Sequence, residues 1–508
     1  MDVSSALISI LVVVVATVYF FLKRKFSYFE RHGIPHIKPE SWILGNLNGV
    51  GRTIHLNDLL QKVYDNAKGK DVIAGFYALF SPGMVFVDLD LIKRITVKDF
   101  SSFTDRGVHV SEDEPLTGHL FAIGGEKWKF MRSKLSPTFT SGKMKLIYHT
   151  VSDKGVGLVK AIETESNKNG SIEMKNIANR FTIDVVSSAA FGMESNTLIN
   201  EHPEFVDVFR KIFGEEGVSA ASSFLLGMAP RLAKLFGIRM FDKSVDEFFF
   251  NVVGGNIKYR ETNNIVRNDF LNMLIQLKNK GVVDGDSTGD PRKLTYDETI
   301  AQAFIFFFAG ADTSSTAISY TMTELAYNPD IQERVRQEVS ERTESSNGEI
   351  TYENIHEMPY LNQVINESLR RFPPAFTTLR QCIKDYPIPG TKHVLKKGQG
   401  LMIPIYQIHH DEQYWKDPYT FNPDRFTTEE IAKRPNLAFL PFGEGPRNCI
   451  GMRFALVNVK FAVATMVKNF KFTLDTSKTK MPIKLNPQNQ SISSIDGYWI
   501  NFEKISTF

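Results

Sequence analysis

The feature that most constrains this chain lies near its C-terminus. There Phe442-Gly-Glu-Gly-Pro-Arg-Asn-Cys449-Ile-Gly451 runs directly into an apolar, helix-like stretch at 452–467. Gly443, Gly445 and Gly451 let the backbone turn tightly and approach a flat ligand closely, because no Cβ stands in the way. Cys449, one of only two cysteines, is predicted at a helix N-terminus, among unpaired N–H donors and the positive end of the dipole. That setting favours thiolate over thiol, and thiolate is the form that ligates metals. On these residues alone, a buried structural cysteine beside an ordinary loop stays open as the alternative.

With 508 residues, 42% of them hydrophobic, the chain can bury a large core, and no Pro/Gly/Ser-rich linker or charge run divides it. One large domain is expected. The 60 basic and 57 acidic residues leave a net charge of +3, which gives no electrostatic ground for nucleic-acid binding. Cys382 and Cys449 cannot build a disulfide framework, which fits a domain on the reducing side of a membrane.

A compartment signal stands at the N-terminus. Residues 6–22 are uncharged and almost wholly apolar, and Lys23-Arg24-Lys25 follow at once. With Ser4 and Ser5 the segment approaches the ~20 residues needed to cross a bilayer. A cleaved signal peptide would carry positives first and a small-residue cleavage site, and neither is present. The positive-inside rule puts the start of the chain outside or lumenal and the remainder in the cytosol. The stretch 33–39, Gly-Ile-Pro-His-Ile-Lys-Pro, reads as a stiff, turn-rich connection ending near Gly45. The expected division is therefore an anchor at 1–25, a proline-containing hinge at 26–45 and a catalytic domain at 46–508. A softer membrane signal spans 224–241, where large apolar residues mix with Arg and Lys; a core helix-turn-helix is the equal alternative.

Helical apolar spacing marks 301–327, 331–343, 361–372 and 452–469, with Asn328-Pro329 and Pro373-Pro374 as stops. Short β-like runs lie at 71–79, 83–87 and 398–405, and 279–293 reads as a surface loop. The class is mainly α with small β-sheets. Inside the first of those helices, Ala309-Gly310-Ala311-Asp312-Thr313-Ser314-Ser315-Thr316 interrupts a phenylalanine-rich run with residues that disfavour helix interiors. A groove admitting a small polar ligand and water would explain the cluster, and so would a kink packed on a neighbouring helix. Thr313, Ala309 and Ile305 share one face. Further on, Glu367 and Arg370 form an i, i+3 pair, and Trp128 and Arg132 lie at i, i+4. Lys127, Lys129, Lys134, Lys143 and Lys145 read as a solvated or docking face. The histidines, His409-His410 among them, form no metal constellation and are expected at the surface or beside the site.

Taken in order, these motifs resemble those of the cytochrome P-450 monooxygenases. The Cys449 segment fills every position of Phe-Gly-x-Gly-x-Arg-x-Cys-x-Gly, and Ala309 to Ser314 matches (Ala/Gly)-Gly-x-(Asp/Glu)-Thr-(Thr/Ser). Glu367-Ser-Leu-Arg370 and Phe421-Asn-Pro-Asp-Arg425-Phe426 match the family's structural network, with Asp424 where Glu is more usual. Residues 135–144 look most like the microsomal, xenobiotic-metabolising clan. The resemblance implies haem b with Cys449 as axial iron ligand, and Phe442 beside it in the cofactor loop. It implies Trp128, Arg132, Arg380 and Arg447 on the haem propionates, and Thr313 and Asp312 handling dioxygen and protons. Glu367, Arg370 and Arg425 would brace the haem-binding core. Phe121, Phe304, Ile305, Phe308, Ala309, Ala375, Phe376, Thr377 and Ile495 would line a pocket for a lipophilic substrate. Dioxygen is the implied co-substrate, and NADPH-derived electrons would come from NADPH–cytochrome P-450 reductase, with a b-type cytochrome as a further partner. The implied place is the endoplasmic reticulum membrane, with a single span and a cytosolic catalytic domain. Two alternatives stay open: a reductase-independent haem-thiolate isomerase or dehydratase, and a non-catalytic haem sensor.

Overall fold

The computed structural model describes residues 3–199, 203–213, 226, 230–283, 291–489 and 491–505. Its first element is the helix Val3–Phe26, which carries Lys23, Arg24 and Lys25 in its last turn. Within it, Leu7–Phe26 is long and apolar enough to cross a membrane, and none of it is buried. The end of this helix meets the body through aromatic edges: Tyr19 and Phe26 pack on Trp42, and Phe21 packs on Phe80.

The body is helical, organised around the 32-residue helix Tyr296–Tyr327. This central helix starts five residues before the expected 301 because Thr295 and Glu298 form a capping box. Thr295 Oγ1 accepts from the Glu298 N–H (3.1 Å), and the Glu298 carboxylate accepts from the Thr295 N–H (2.9 Å). Pro329 and Pro359 occupy the first turns of Pro329–Thr343 and Pro359–Arg371, where a missing N–H is no loss, so these helices begin two residues earlier than expected. The expected 452–469 helix is found as Met452–Asn469.

The central helix packs chiefly on Met174–Phe191 and Met452–Asn469. Phe304 and Phe307 are fully buried along it, each worth about 1.5–3 kcal/mol of apolar burial. Gly310 faces Val186 of the first neighbour, where an added Cβ would lie 3.1 Å from Cγ2. Close helix packing therefore accounts for this glycine.

One sheet has the strand order Ile73–Ala78, Ser81–Phe86, Gly400–Ile403, Thr378–Gln381, with only the middle pair parallel. A second joins Ser171–Glu173, Trp499–Lys504 and Phe470–Leu474, all antiparallel. These sheets flank the helical body, and the first delivers Arg380 to the site. Of the softer membrane stretch, residues 224–225 and 227–229 lie outside the described residues. Pro230–Leu235 is a short helix, followed by exposed Phe236; Leu226 and Ala233 are buried.

Candidate active site

The loop before Met452–Asn469 is pinned on both sides. Gly445 takes φ +74°, and a Cβ there would meet the Thr96 carbonyl at 1.9 Å, so the loop lies directly on residues 96–97. The Cys449 N–H donates to the Phe442 carbonyl (2.8 Å), closing the turn. The Cys449 side chain is reachable by solvent yet deeply surrounded by protein, so it faces a cleft rather than the outer surface. Burial pushes its thiol up, against the opposing pull of the Gly451 N–H and of the Arg132 and Arg106 guanidiniums. The helix dipole alone does not deliver the expected thiolate; a cation at the sulfur would. Among the described residues no three His, Cys, Asp or Glu side chains gather to hold a metal. A single thiolate suits an iron whose other ligands come from a porphyrin.

Four guanidiniums converge near this loop. Arg132 binds residue 448 twice, through the Asn448 carbonyl (2.9 Å) and Oδ1 (2.8 Å), which ties Gly125–Leu135 to the neighbour of Cys449. Arg447 stacks over the Trp128 ring at 4.1 Å and donates to the carbonyls of Thr104 (2.8 Å), Leu120 (3.2 Å) and Ile123 (2.7 Å). Its guanidinium thus braces the 118–123 turn. Arg380 is buried and donates to the Leu379 carbonyl (2.8 Å), and its Nε has no partner among the described residues. Arg106 lies over Phe121 at 4.0 Å, donates to the Phe121 and Arg447 carbonyls, and also leaves Nε without a partner.

Burial pushes Arg380 down to about 10 and Arg447 to about 9, the latter partly offset by Asp105. Arg106 is pushed well below its ordinary value by burial and then by repulsion from Arg380, Arg447 and Arg132. Among the described residues Asp105 is the one carboxylate acting on this cluster, and it already accepts from the Gly125 N–H and the Thr104 hydroxyl. Buried cations without carboxylates are costly, so the cluster fits a ligand bearing two carboxylates, as haem does.

A second set of arginines lies in the supporting structure. Arg370 holds both oxygens of Glu367 (2.7 and 2.9 Å) and donates to the carbonyls of His409 and Pro418 (2.7 Å each). Arg425 approaches Glu367 at 3.4 Å and donates to the carbonyls of Lys416 and Asp417. His409 is fully buried, its Nε2 accepting from the Leu440 N–H (2.8 Å) two residues before Phe442. The network thereby reaches the cysteine loop. The buried position of His409 corrects the surface alternative for this residue.

On the central helix, Thr313 and Ala309 face open space, and the Thr313 hydroxyl donates to the Ala309 carbonyl (2.7 Å). Asp312 points elsewhere: it is buried and held by Lys175 (2.9 Å), which also reaches Ser315 and Thr316. No hydrogen bond joins Asp312 to Thr313 among the described residues, although the sequence pairs them.

Of the expected pocket residues, Phe121, Ala309, Ala375 and Ile495 are exposed, and Phe308 and Thr377 are partly so. Phe304 is fully buried, among Phe241, Phe249 and Phe308. Phe376 is likewise buried, its ring against His55, and Ile305 is nearly closed at 9% exposure. The lysine face is also reduced. Lys134 is buried, and Lys127 and Lys145 pair with Glu298 and Glu353, which leaves Lys129 and Lys143 as its outward cations.

Arg106, Lys175 and Gln302 escaped sequence reasoning because each acts across more than a hundred residues of chain. An Arg beside an Asp at 105–106 carries no helical or strand spacing that would have singled it out.

The cytochrome P450 family model matches residues 35–498. Cytochrome P450 6a9 of Drosophila melanogaster is 39% identical over 99% of this chain and 100% of its own. Cytochrome P450 6A1 of Musca domestica is 37% identical over 99% of both chains. The probable cytochrome P450 6a18 of Drosophila melanogaster is 38% identical over 98% of both. With the thiol loop, the arginine cluster and full-length likeness in agreement, this chain belongs to the cytochrome P450 family of haem- and dioxygen-dependent monooxygenases.

Proposed function

We propose that this protein oxygenates a lipophilic small molecule at a membrane, with NADPH-derived electrons delivered by a flavoprotein reductase. The observation that carries this reading is the pairing of one cleft-facing cysteine with four guanidiniums, two of them buried and two partly so, that have almost no carboxylate partners among the described residues. Haem, when bound, supplies the activation of dioxygen. Cys449 would ligate its iron, with Phe442 at the mouth of the loop. Arg132, Arg380 and Arg106 would hold its carboxylates, with Trp128 and Arg447 ordering the wall behind them.

The chain's own part in proton handling starts at Thr313. Its hydroxyl proton is engaged by the Ala309 carbonyl, so its oxygen lone pairs are free to accept from a water in the cleft. Asp312 is the nearest acid in sequence, but Lys175 holds its carboxylate. Proton delivery through Asp312 therefore requires that contact to loosen, and Lys175 would set how often it does. Phe121, Phe308, Ala309 and Ala375 offer a largely apolar wall that suits a lipophilic substrate.

Leu7–Phe26 would anchor the chain in the endoplasmic reticulum membrane, with residues 26–45 as hinge and 46–508 as a cytosolic catalytic domain. Lys129 and Lys143 are the outward cations for docking an acidic redox partner, the reductase or a b-type cytochrome.

Reconstitution with NADPH–cytochrome P450 reductase tests the reading. Substrate-dependent NADPH and oxygen consumption with an oxygenated product is expected; product formation without reductase would favour isomerase chemistry. Thr313→Ala should keep haem and substrate binding, at a stability cost of about 1 kcal/mol. Product per NADPH should fall strongly as hydrogen peroxide rises, since positioned proton transfer contributes ~10²–10⁴-fold. Unchanged coupling would reduce Thr313 to a packing residue.

A further inference from the structure

A second concavity lies away from the cysteine. It is a groove of about 490 Å³ between the helix Lys243–Thr262, the end of Phe270–Lys280 and the first turn of the central helix. That volume falls in the range of small-molecule sites. Phe250, Gly254 and Lys258 recur at helical spacing, with Asn251 and Gly255 beside them, so one face of Lys243–Thr262 forms the floor. Tyr296, which opens the central helix, stands about 20 Å of helix before Ala309 and the cleft.

The two glycines of the floor differ. Gly254 is buried beneath Tyr296, and a Cβ there would collide with the Tyr296 hydroxyl, so packing demands it. Gly255 is exposed, and a Cβ there would meet nothing within 4 Å. Packing within the chain gives no reason for a glycine at 255, which weakens a helix interior relative to alanine. Bare backbone does let a flat molecule lie directly on the helix. Phe250 and Tyr296, with ring centroids 6.0 Å apart, supply aromatic surface beside it.

Three polar side chains of the groove make no hydrogen bond or ion pair among the described residues: the Asn251 amide, the Lys258 ammonium and the Tyr296 hydroxyl. Each can donate. The one carboxylate of the lining, Glu261, already accepts from Lys278 (2.8 Å) and from the Asn279 amide (2.7 Å). Burial, then Asp297 and Glu261, push the Tyr296 hydroxyl up, which keeps it a donor. The groove therefore offers aromatic surface, bare backbone and an unpaired cation, and it lacks an acceptor for that cation.

We propose that this groove is a second ligand site, taking a small planar aromatic carboxylate with its ring on the Gly255 backbone and its carboxylate on Lys258. The site is separate from the cleft and does not depend on the proposed oxygenation. An aromatic cation fits it less well, because Glu261 is already paired.

The test titrates 6-fluoro-2-naphthoate against the full-length, haem-loaded protein and reads binding by fluorine NMR. Excess 1-phenylimidazole, a nitrogen ligand for the haem iron, fills the cleft throughout. Saturable binding is expected in the parent, and the neutral 6-fluoro-2-naphthamide should bind at least about fivefold more weakly. Lys258→Ala should weaken the naphthoate about five- to tenfold and leave the amide within about twofold, while Lys258→Arg keeps the parent affinity. Gly255→Leu should abolish saturable binding of both compounds. Its urea midpoint should be no lower than the parent's, since no packing is lost there, so the loss cannot be put down to unfolding. No saturable binding to the parent with the cleft filled overturns the proposal. So does a naphthoate affinity that is unchanged in Lys258→Ala or in Gly255→Leu.

Discussion

Two sets of inward arginines in this molecule, each wholly or partly buried, are treated in opposite ways. Around Glu367, Arg370 is completely enclosed and spends its nitrogens on a carboxylate and two carbonyls, and Arg425 joins the same carboxylate from the next segment. Around Cys449, Arg106, Arg132, Arg380 and Arg447 gather with, among the described residues, only Asp105 for charge. The first set has its carboxylate within the chain and carries structure. The second is incomplete within the chain, and the cost of its burial is recovered only when an anionic ligand arrives. A buried charge is thus informative about function when its partners are missing, and about stability when they are present.

The comparison breaks most decisively at the ligand it presumes. Cys449→Ala should abolish the thiolate-haem spectrum, with its reduced, CO-bound Soret band, whereas Cys382→Ala should leave it intact. Cys382 is buried, its thiol turned to the Lys384 carbonyl (2.7 Å) away from any cleft. A thiolate-type band in Cys449→Ala would remove the reason for the open set.

Next come the two sets themselves. Glu367→Ala strands Arg370 in the interior and should cost about 3–5 kcal/mol, a large share of a typical domain's stability. Arg380→Leu should leave the haem-free protein as stable or more so, while speeding haem release from the loaded form. Urea unfolding of the haem-free variants and haem transfer to a scavenger separate the two. An equal stability loss in both would show that the open set is structural after all.

The smallest effect is on pH dependence. Burial, with Arg370 adding, pushes His409 in the closed set down to about 3. Between that value and about 6.5 the unfolded chain binds a proton that the folded one refuses. Stability should therefore fall as pH drops from 6.5 toward 3, by up to about 1.4 kcal/mol per pH unit for this group. His409→Gln should flatten that slope in urea midpoints measured from pH 7.5 to 5.5. An unchanged slope would mean that His409 titrates normally and that the closed set is less sealed than it is here.

Much of this molecule was legible locally. Helix positions followed from apolar spacing and proline stops, because these are nearest-neighbour properties of the chain. The two-residue differences at Pro329 and Pro359 arose only where prolines sat inside the first turn rather than before it. The cysteine loop was legible because its glycines and its thiol lie within ten residues. Asp312 and Thr313 were misleading as a pair: adjacent residues on a helix point about 100° apart, and Lys175 decides where the acid goes. Phe304 illustrates the same limit, since resemblance to the family placed it at the pocket and only the fold packs it against Phe241 and Phe249.

By itself, the sequence determined the thiol loop, the apolar N-terminal helix, the helical body and the order of motifs that makes the chain a P450. These depend on residues close in sequence, whose spacing dictates local geometry. Only the tertiary structure decided which arginines lack carboxylate partners, that Arg106 joins the cluster beside the cysteine loop, and that Arg447 braces a turn 320 or more residues away. Burial and unmet hydrogen bonds arise when distant segments exclude water together, and no local pattern records them.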